Sequence, residues 1–530
     1  MLMSPKVLLT TVHRPLGVDS PTSTRHMQAE MYNSQVTLSQ GAFSIRAVCT
    51  GWGLEFIAAN LHAPTTVLHY PTLRRLKREL AKGYDYIGIG FAICTFPKTI
   101  EICNLVRRMA PKTKIVLGGY GTVLKECDRH ADHVCREEGV HFFKRLLKEE
   151  ETDEFTLPVI MRKLKVLSVA TAPELILPAG LGCSRGCDFC CTSHFFDRRY
   201  IPLVKGAKEI HDFICSMDVG KSTYRDVGII DEDFLLDSGR GKELADWNSR
   251  EVEKPILFSC LTSLQSIAQY STEELLSMGL AGVWVGIESR KATYSKLKNI
   301  DIPTMIRELQ GTGINVLTSM ILGFDWHDSA AVEADFQYLL SLKPTLSQLM
   351  LYSPCPQTPL YDVMRKSGRL LDVPYHHYDG FHLLFKHPHF SPAEIEKLIV
   401  RLFEREYEEL GPCIFRVMEV QLNGFERLRE SDNALFRRRA LEQKRMALEL
   451  FPLLRVGIAK APSPRVMNYV KALRDRAESL FPVPLSVRAR QIAVPWLYHY
   501  TDWRNRIFPD AQPTGQITRY RQNQNPRHNT

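Results

Sequence analysis

Cys183, Cys187 and Cys190 stand in the run GLGCSRGCDFCCTSHFF at the spacing C-x3-C-x2-C, so one short loop offers three thiolates. Three thiolates leave a cubane iron-sulfur cluster one ligand short. A cluster that only carries electrons is normally held by four cysteines, and a three-cysteine loop therefore implies one iron open to an exogenous ligand, where chemistry can occur. Cys191 follows directly. Adjacent side chains diverge, so it reads as packing beside the site rather than as a ligand. A structural zinc site is the other reading of the loop. Zinc sites close with four ligands and favour paired C-x2-C knuckles, whereas no second knuckle or H-x3-H partner follows here.

Such a loop needs a scaffold, and the surrounding chain reads as strands alternating with helices. LILPAGLG precedes the cysteines, and strand candidates follow at 224–231, 255–261, 282–288, 314–324 and 346–354, each trailed by a helical stretch. This gives six β/α units. Barrel enzymes place reactive groups at the carboxyl ends of their strands, which singles out the polar Asp233, Ser259, Glu288 and Cys355. Cys355 could donate hydrogen or bond covalently, but inert packing is the commoner fate of such a cysteine.

The first 150 residues alternate in the same way. KVLLTTV (6–12), TTVLHY (65–70), DYIGIGF (85–91) and KIVLGGY (114–120) read as buried strands. Between the last two lies a helix whose apolar face is Ile100, Cys103, Leu105 and Met109, ended by Pro111. This pattern predicts a parallel, doubly wound sheet with its ligand beyond the carboxyl ends of the strands. Gly118 and Gly119 close one such end, where a bare backbone lets a bulky ligand approach. Residues 13–50 show little periodicity and predict a long loop over that edge.

The cysteine spacing, with Phe189 just before the third cysteine, resembles the radical S-adenosylmethionine (SAM) superfamily, and the order of elements in residues 1–150 is similar to the cobalamin (B12)-binding domain that precedes many of its members. The resemblance implies a 4Fe-4S cluster whose open iron chelates SAM, with reduced flavodoxin or ferredoxin as electron donor and a small molecule as substrate. It implies that Asp233, in Asp231-Glu232-Asp233-Phe234, accepts from the SAM ammonium. Glu288, in Gly286-Ile287-Glu288-Ser289, would meet the ribose and amino acid moiety, with Ser259 a weaker candidate of that kind, and Gly323 lies in the adenine-contacting I-x-G segment. Departures are visible. Ser319 and Gln357 replace family glycines, and the D-x-H-x-x-G motif of a lower axial histidine is absent, since neither Asp128-Arg129-His130 nor Asp325-Trp326-His327 is followed by the required glycine. The implied reaction is cobalamin-dependent methylation of an unactivated carbon. The alternatives are a cobalamin-independent rearrangement, or methylthiolation with a second cluster on Cys49, Cys94 and Cys127. From another class comes a non-enzymatic metal- or nucleic-acid-binding protein.

Ser391, Pro392 and Glu394 form a helix start, followed at helical spacing by Ile395, Leu398, Ile399, Leu402 and Phe403. His376, His377, His382, His387 and His389 cluster without a clean ligand pair. The expected architecture is therefore α/β: a Rossmann-like, B12-binding-type domain (1–150), a linker (151–172), a partial (β/α)6 core (173–390), a helical region (391–502) and a basic, disordered tail (503–530).

A chain of 530 residues exceeds one core and suggests two to four domains. Thirteen cysteines without regular pairing, and a start that reads as neither signal peptide nor anchor, point to a reducing, cytoplasmic setting. No run of 18 apolar residues occurs to span a membrane. The net charge of +9 is spread along the chain and at its end, and without a stripe of interleaved aromatics it reads as solvated surface rather than a nucleic-acid footprint.

Overall fold

A computed structural model of the protein describes residues 4–16, 32–47, 51–170, 173–217, 224–507, 515–521 and 524–528. Two sheets organise them. The first has the order Gln524–His528, Gln516–Arg521, Thr65–His69, Val7–Thr10, Tyr86–Gly90, Lys114–Gly118, His133–Val134. The five strands from Thr65–His69 to His133–Val134 are parallel. Val7, Leu8, Leu9, Val67, Leu68 and Ile87 are wholly buried, as expected when helices cover both faces of a parallel sheet.

The helix Phe96–Met109 forms as expected, and Cys103 and Leu105 of its predicted face are buried, but the buried face as a whole is shifted. Ile102 and Val106 lie at its centre, while Met109 is 45% exposed. With Pro at its second position, the helix starts at Phe96, and from there the buried residues follow the 3.6-residue period.

The second sheet runs Leu346–Leu351, Asn315–Leu322, Leu280–Glu288, Ile256–Leu261, Arg225–Ile230, Glu174–Pro178, Ile160–Arg162. Its first six strands are parallel and coincide with the six read from sequence, and Ile160–Arg162 adds antiparallel at the edge. The helix Pro392–Leu410 starts as expected: Glu394 Oε2 accepts from the Ser391 backbone N–H at 2.8 Å and from its hydroxyl at 2.6 Å.

Two expectations are corrected. Residues 32–47 do not lie over the edge of the first sheet. Phe43 is fully buried against Phe415 and Tyr498, and Gln35 accepts from Gln348 in the second sheet at 3.0 Å. The apolar Ala42 and Phe43 settle into the larger core because burial, not periodicity, decides where an irregular segment rests.

The tail is not uniformly disordered either. Gln516–Arg521 pairs antiparallel with Thr65–His69. Thr518 and Tyr520 donate to the buried Glu55 at 2.8 and 2.6 Å. β-branched and aromatic residues in ITRY suit a strand, and an open sheet edge offers unpaired backbone groups to it. Cys49 lies outside the described residues.

Candidate functional site

The cysteine loop is closed at its base by Gly180–Leu181 pairing with Ile201–Pro202. Within it Gly182 and Gly186 have φ of +76° and +68°; a Cβ at Gly182 would collide with the returning backbone at the Arg199 carbonyl, and one at Gly186 would meet the Arg198 side chain. The short helix Cys191–Phe195 pins the turn: Ser193 Oγ donates to the Cys183 carbonyl at 2.6 Å, and His194 Nε2 lies 3.1 Å from the Cys187 carbonyl.

Burial pushes the thiols of Cys183 and Cys187 up, and that of Cys190 up to about 12. Only a bound cation would make three such thiols anionic at neutral pH. Among the described residues, the set of three metal-ligating side chains with donor atoms within 4.8 Å of one another is His211, Cys215 and Glu251. Cys183, Cys187 and Cys190 bring three thiols to one short turn, a donor set that fits a cluster.

Neighbouring loop residues tie this turn to the strand ends. Asp188 accepts from Tyr294 at 2.8 Å and from Tyr352 at 2.5 Å, and Phe189 packs edge-on to both rings at 5.4 and 6.0 Å. Arg185 donates to Asp233 at 2.5 Å, Ser263 at 2.6 Å, Gln265 at 2.7 Å and Ser266 at 2.8 Å. Thr262 and the Ser263 backbone N–H, each at 2.9 Å, occupy the other oxygen of Asp233. Asp231 is likewise engaged by Tyr200 at 2.7 Å and Arg240 at 3.3 Å. Glu232 between them has no hydrogen bond or ion pair among the described residues. Burial, and then the nearby Cys191 and Asp231, push its carboxyl up to about 7.

Glu288 is 3% exposed, sits at φ +55° beside a register shift, and forms an ion pair with the half-buried Lys296. A non-glycine residue held there stores strain of a kind found at functional sites. Lys296, missed in the sequence, also lies 5.9 Å from the Phe189 ring centre and lowers the Cys187 thiol against burial. Ser259 is mid-strand, opposite Gly228 and Gly282, rather than at a strand end. Gly323, at φ +86°, turns the chain so that its N–H donates to His327 Nδ1 at 3.0 Å. Cys355 reaches Cys191, whose thiol it holds down to about 7. His382 Nδ1 lies 3.0 Å from Asp379 and its ring stacks on His377 at 4.0 Å. Cys94 and Cys127 are buried thiols pushed up to about 12 and about 11, chiefly by burial.

A cavity of about 370 Å³ opens at the carboxyl edge of the first sheet. Gly90, Phe91, Gly118, Gly119 and Tyr120 line one wall, and Leu181, Phe195 and Phe196 of the cysteine loop line another. Gly119 has φ +88°, and a Cβ there would lie 2.8 Å from the Phe91 carbonyl; at Gly118 the nearest neighbour is Cys135 at 3.9 Å. This bare-backbone floor fits a flat, bulky ligand. One site thus unites Gly118 and Gly119 with the cysteine turn.

Fold and site define one class: an α/β protein of two largely parallel sheets, with a three-cysteine turn facing a glycine-floored cavity. Among solved structures, the chain is similar to the radical SAM methyltransferase TsrM from Kitasatospora setae with cobalamin and 4Fe-4S cluster bound. The TM-score is 0.52 at 13% identity, covering 84% of this chain and 99% of that one, so the likeness is one of fold. TsrM with tryptophan substrate and a SAM analogue gives 0.51 over 90% of this chain and 99% of that chain, again at 13% identity. The chain is 24% identical over 36% of its length to hopanoid C-2 methylase of Rhodopseudomonas palustris. It is 20% identical over 48% to an uncharacterized methyltransferase of Pyrococcus horikoshii, and 22% over 61% to bacteriochlorophyllide d C-8(2)-methyltransferase of Chlorobaculum tepidum. The matches span 37%, 56% and 78% of those relatives' own lengths. No family model matches the chain.

Proposed function

We propose that this protein is a radical SAM enzyme that methylates an unactivated carbon of a small molecule with cobalamin as second cofactor. The observation that carries the reading is the shared wall: Leu181, Phe195 and Phe196 of the cysteine loop line the same cavity as Gly118 and Gly119. When bound, the cluster and cobalamin supply the chemistry, an electron that splits the SAM sulfonium to a 5'-deoxyadenosyl radical and a methyl group for the substrate.

Cys183, Cys187 and Cys190 would hold the cluster, while Arg185 and Asp188 fix the turn that presents them. Glu232 takes the role of ammonium acceptor in preference to Asp233, whose oxygens are already engaged; a carboxylate suits a cationic amine in a dry cavity. Glu288 and Lys296 orient the rest of SAM beside Phe189, and Gly323 lets the adenine approach the backbone. Phe195, Phe196 and Tyr120 exclude water between the two cofactor positions. In this reading residues 1–150 are the cobalamin domain, apart from 32–47, and 173–390 the radical SAM core. The setting is cytoplasmic, with reduced flavodoxin or ferredoxin as donor.

Anaerobic reconstitution with iron, sulfide and reductant should yield 5'-deoxyadenosine in the wild type and none in Cys187→Ala. Hydroxocobalamin should stay bound through desalting, as read in the visible spectrum. A wild type that makes no 5'-deoxyadenosine ends the radical reading, and loss of corrinoid on desalting ends the methyl-transfer reading.

A further inference from the structure

The helix Leu485–Ile507 packs through Val487, Val494 and Thr501, which are at most 6% exposed, and through the Tyr498 ring 5.3 Å from Phe43. Its outer face has a different character. Leu485, Ile492, Trp496, Tyr500, Trp503 and Ile507 are 84, 67, 78, 53, 55 and 50% exposed. Their spacing of 7, 4, 4, 3 and 4 residues puts all six on one stripe opposite the packed side. Arg488 and Arg506 flank it on one side and Arg490 on the other, against a single acid in the helix, Asp502, while Arg504 turns to Ser168 on the packed side. Arg488 and Arg506 make ion pairs with Glu478 and Asp502 yet stay 50% and 78% exposed. The linear sequence hides this stripe because its members are three to seven positions apart.

We propose that this face docks on the surface of an anionic lipid bilayer. Trp and Tyr favour the boundary between headgroup and acyl chain, aliphatic residues enter below it, and flanking arginines reach up to lipid phosphates. No described helix is long and apolar enough to cross a membrane, so the contact is peripheral. Charge complementarity selects this occupant: a second copy laid stripe on stripe would oppose arginine to arginine. A single-stranded nucleic acid would use the rings and arginines but leave Leu485, Ile492 and Ile507 without a role.

The test is flotation of the full-length holoenzyme with phosphatidylcholine vesicles, with and without phosphatidylglycerol. Binding should require phosphatidylglycerol and weaken with salt. It should fall about tenfold or more in the Trp496→Glu/Trp503→Glu double variant, and about fivefold for each of Arg490→Gln and Arg506→Gln. All four side chains lie on the surface, so the thermal midpoint and 5'-deoxyadenosine formation in solution should stay at wild-type values, which separates failure here from failure of the catalytic reading. Three outcomes overturn the proposal: no flotation with either vesicle, whether or not self-association or oligonucleotide binding that the double variant abolishes is found instead; equal flotation without phosphatidylglycerol; or wild-type flotation in the double variant.

Discussion

Arg185 and Asp233 meet at 2.5 Å with side chains only 11% and 5% exposed, and this pair joins the cysteine turn to the end of the strand Arg225–Ile230. Removing one partner of a buried ion pair strands the other charge, at a cost of about 3–5 kcal/mol. Asp233→Ala should therefore lower the thermal midpoint and cut the iron retained after reconstitution, although all three cysteines remain. Wild-type iron content in that variant would show that the turn holds its shape without the pair.

Gly118 and Gly119 should respond differently to substitution. At Gly119 a side chain needs a left-handed backbone and meets the Phe91 carbonyl, so Gly119→Ala should lose about 1–3 kcal/mol of stability. Gly118→Leu meets no such obstacle and projects into the cavity. Its midpoint should stay near wild type while hydroxocobalamin no longer survives desalting, and a fully loaded Gly118→Leu protein would place the corrin elsewhere.

Cys191 shares a hydrogen bond with Cys355 and stands outside the C-x3-C-x2-C spacing. Iron per chain should be unchanged in Cys191→Ala and in Cys355→Ala, whereas Cys190→Ala should lose the cluster's visible absorption. If Cys191→Ala matches Cys190→Ala, Cys191 is a ligand.

Glu55 ties the tail strand to the first sheet. Burial raises its pKa, but hydrogen bonds from His69, Tyr520 and Thr518 and the charge interaction with His69 outweigh this, and its folded value lies below the usual one. A depressed carboxylate stabilises the fold fully above its unfolded pKa of about 4.3 and loses that contribution as pH falls through the lower folded value. Thermal midpoints measured downward from pH 5 should therefore drop more steeply in wild type than in Glu55→Gln, and parallel curves would refute the linkage.

The strands were legible because a sheet covered on both faces needs unbroken apolar runs, and runs such as KVLLTTV have few other uses. The glycine pair and the cysteine turn were legible because their chemistry is local. What escaped depends on distant partners. Nothing near Asp233 reveals that Arg185, 48 positions earlier, occupies it and leaves Glu232 open. Lys296 looks like a surface lysine until Glu288 folds beside it. Phe43 and Tyr520 sit in segments whose composition suggests no structure, and each is ordered by a surface built elsewhere in the chain.

The pairing of Gln516–Arg521 with Thr65–His69 sets a timetable for biogenesis. While the ribosome is still making the helical region, the sheet that holds Thr65–His69 keeps a bare flank. A sheet translated before the helical region is thus sealed only after it, and a nascent chain halted before residue 516 would offer that flank to other strands in the cell.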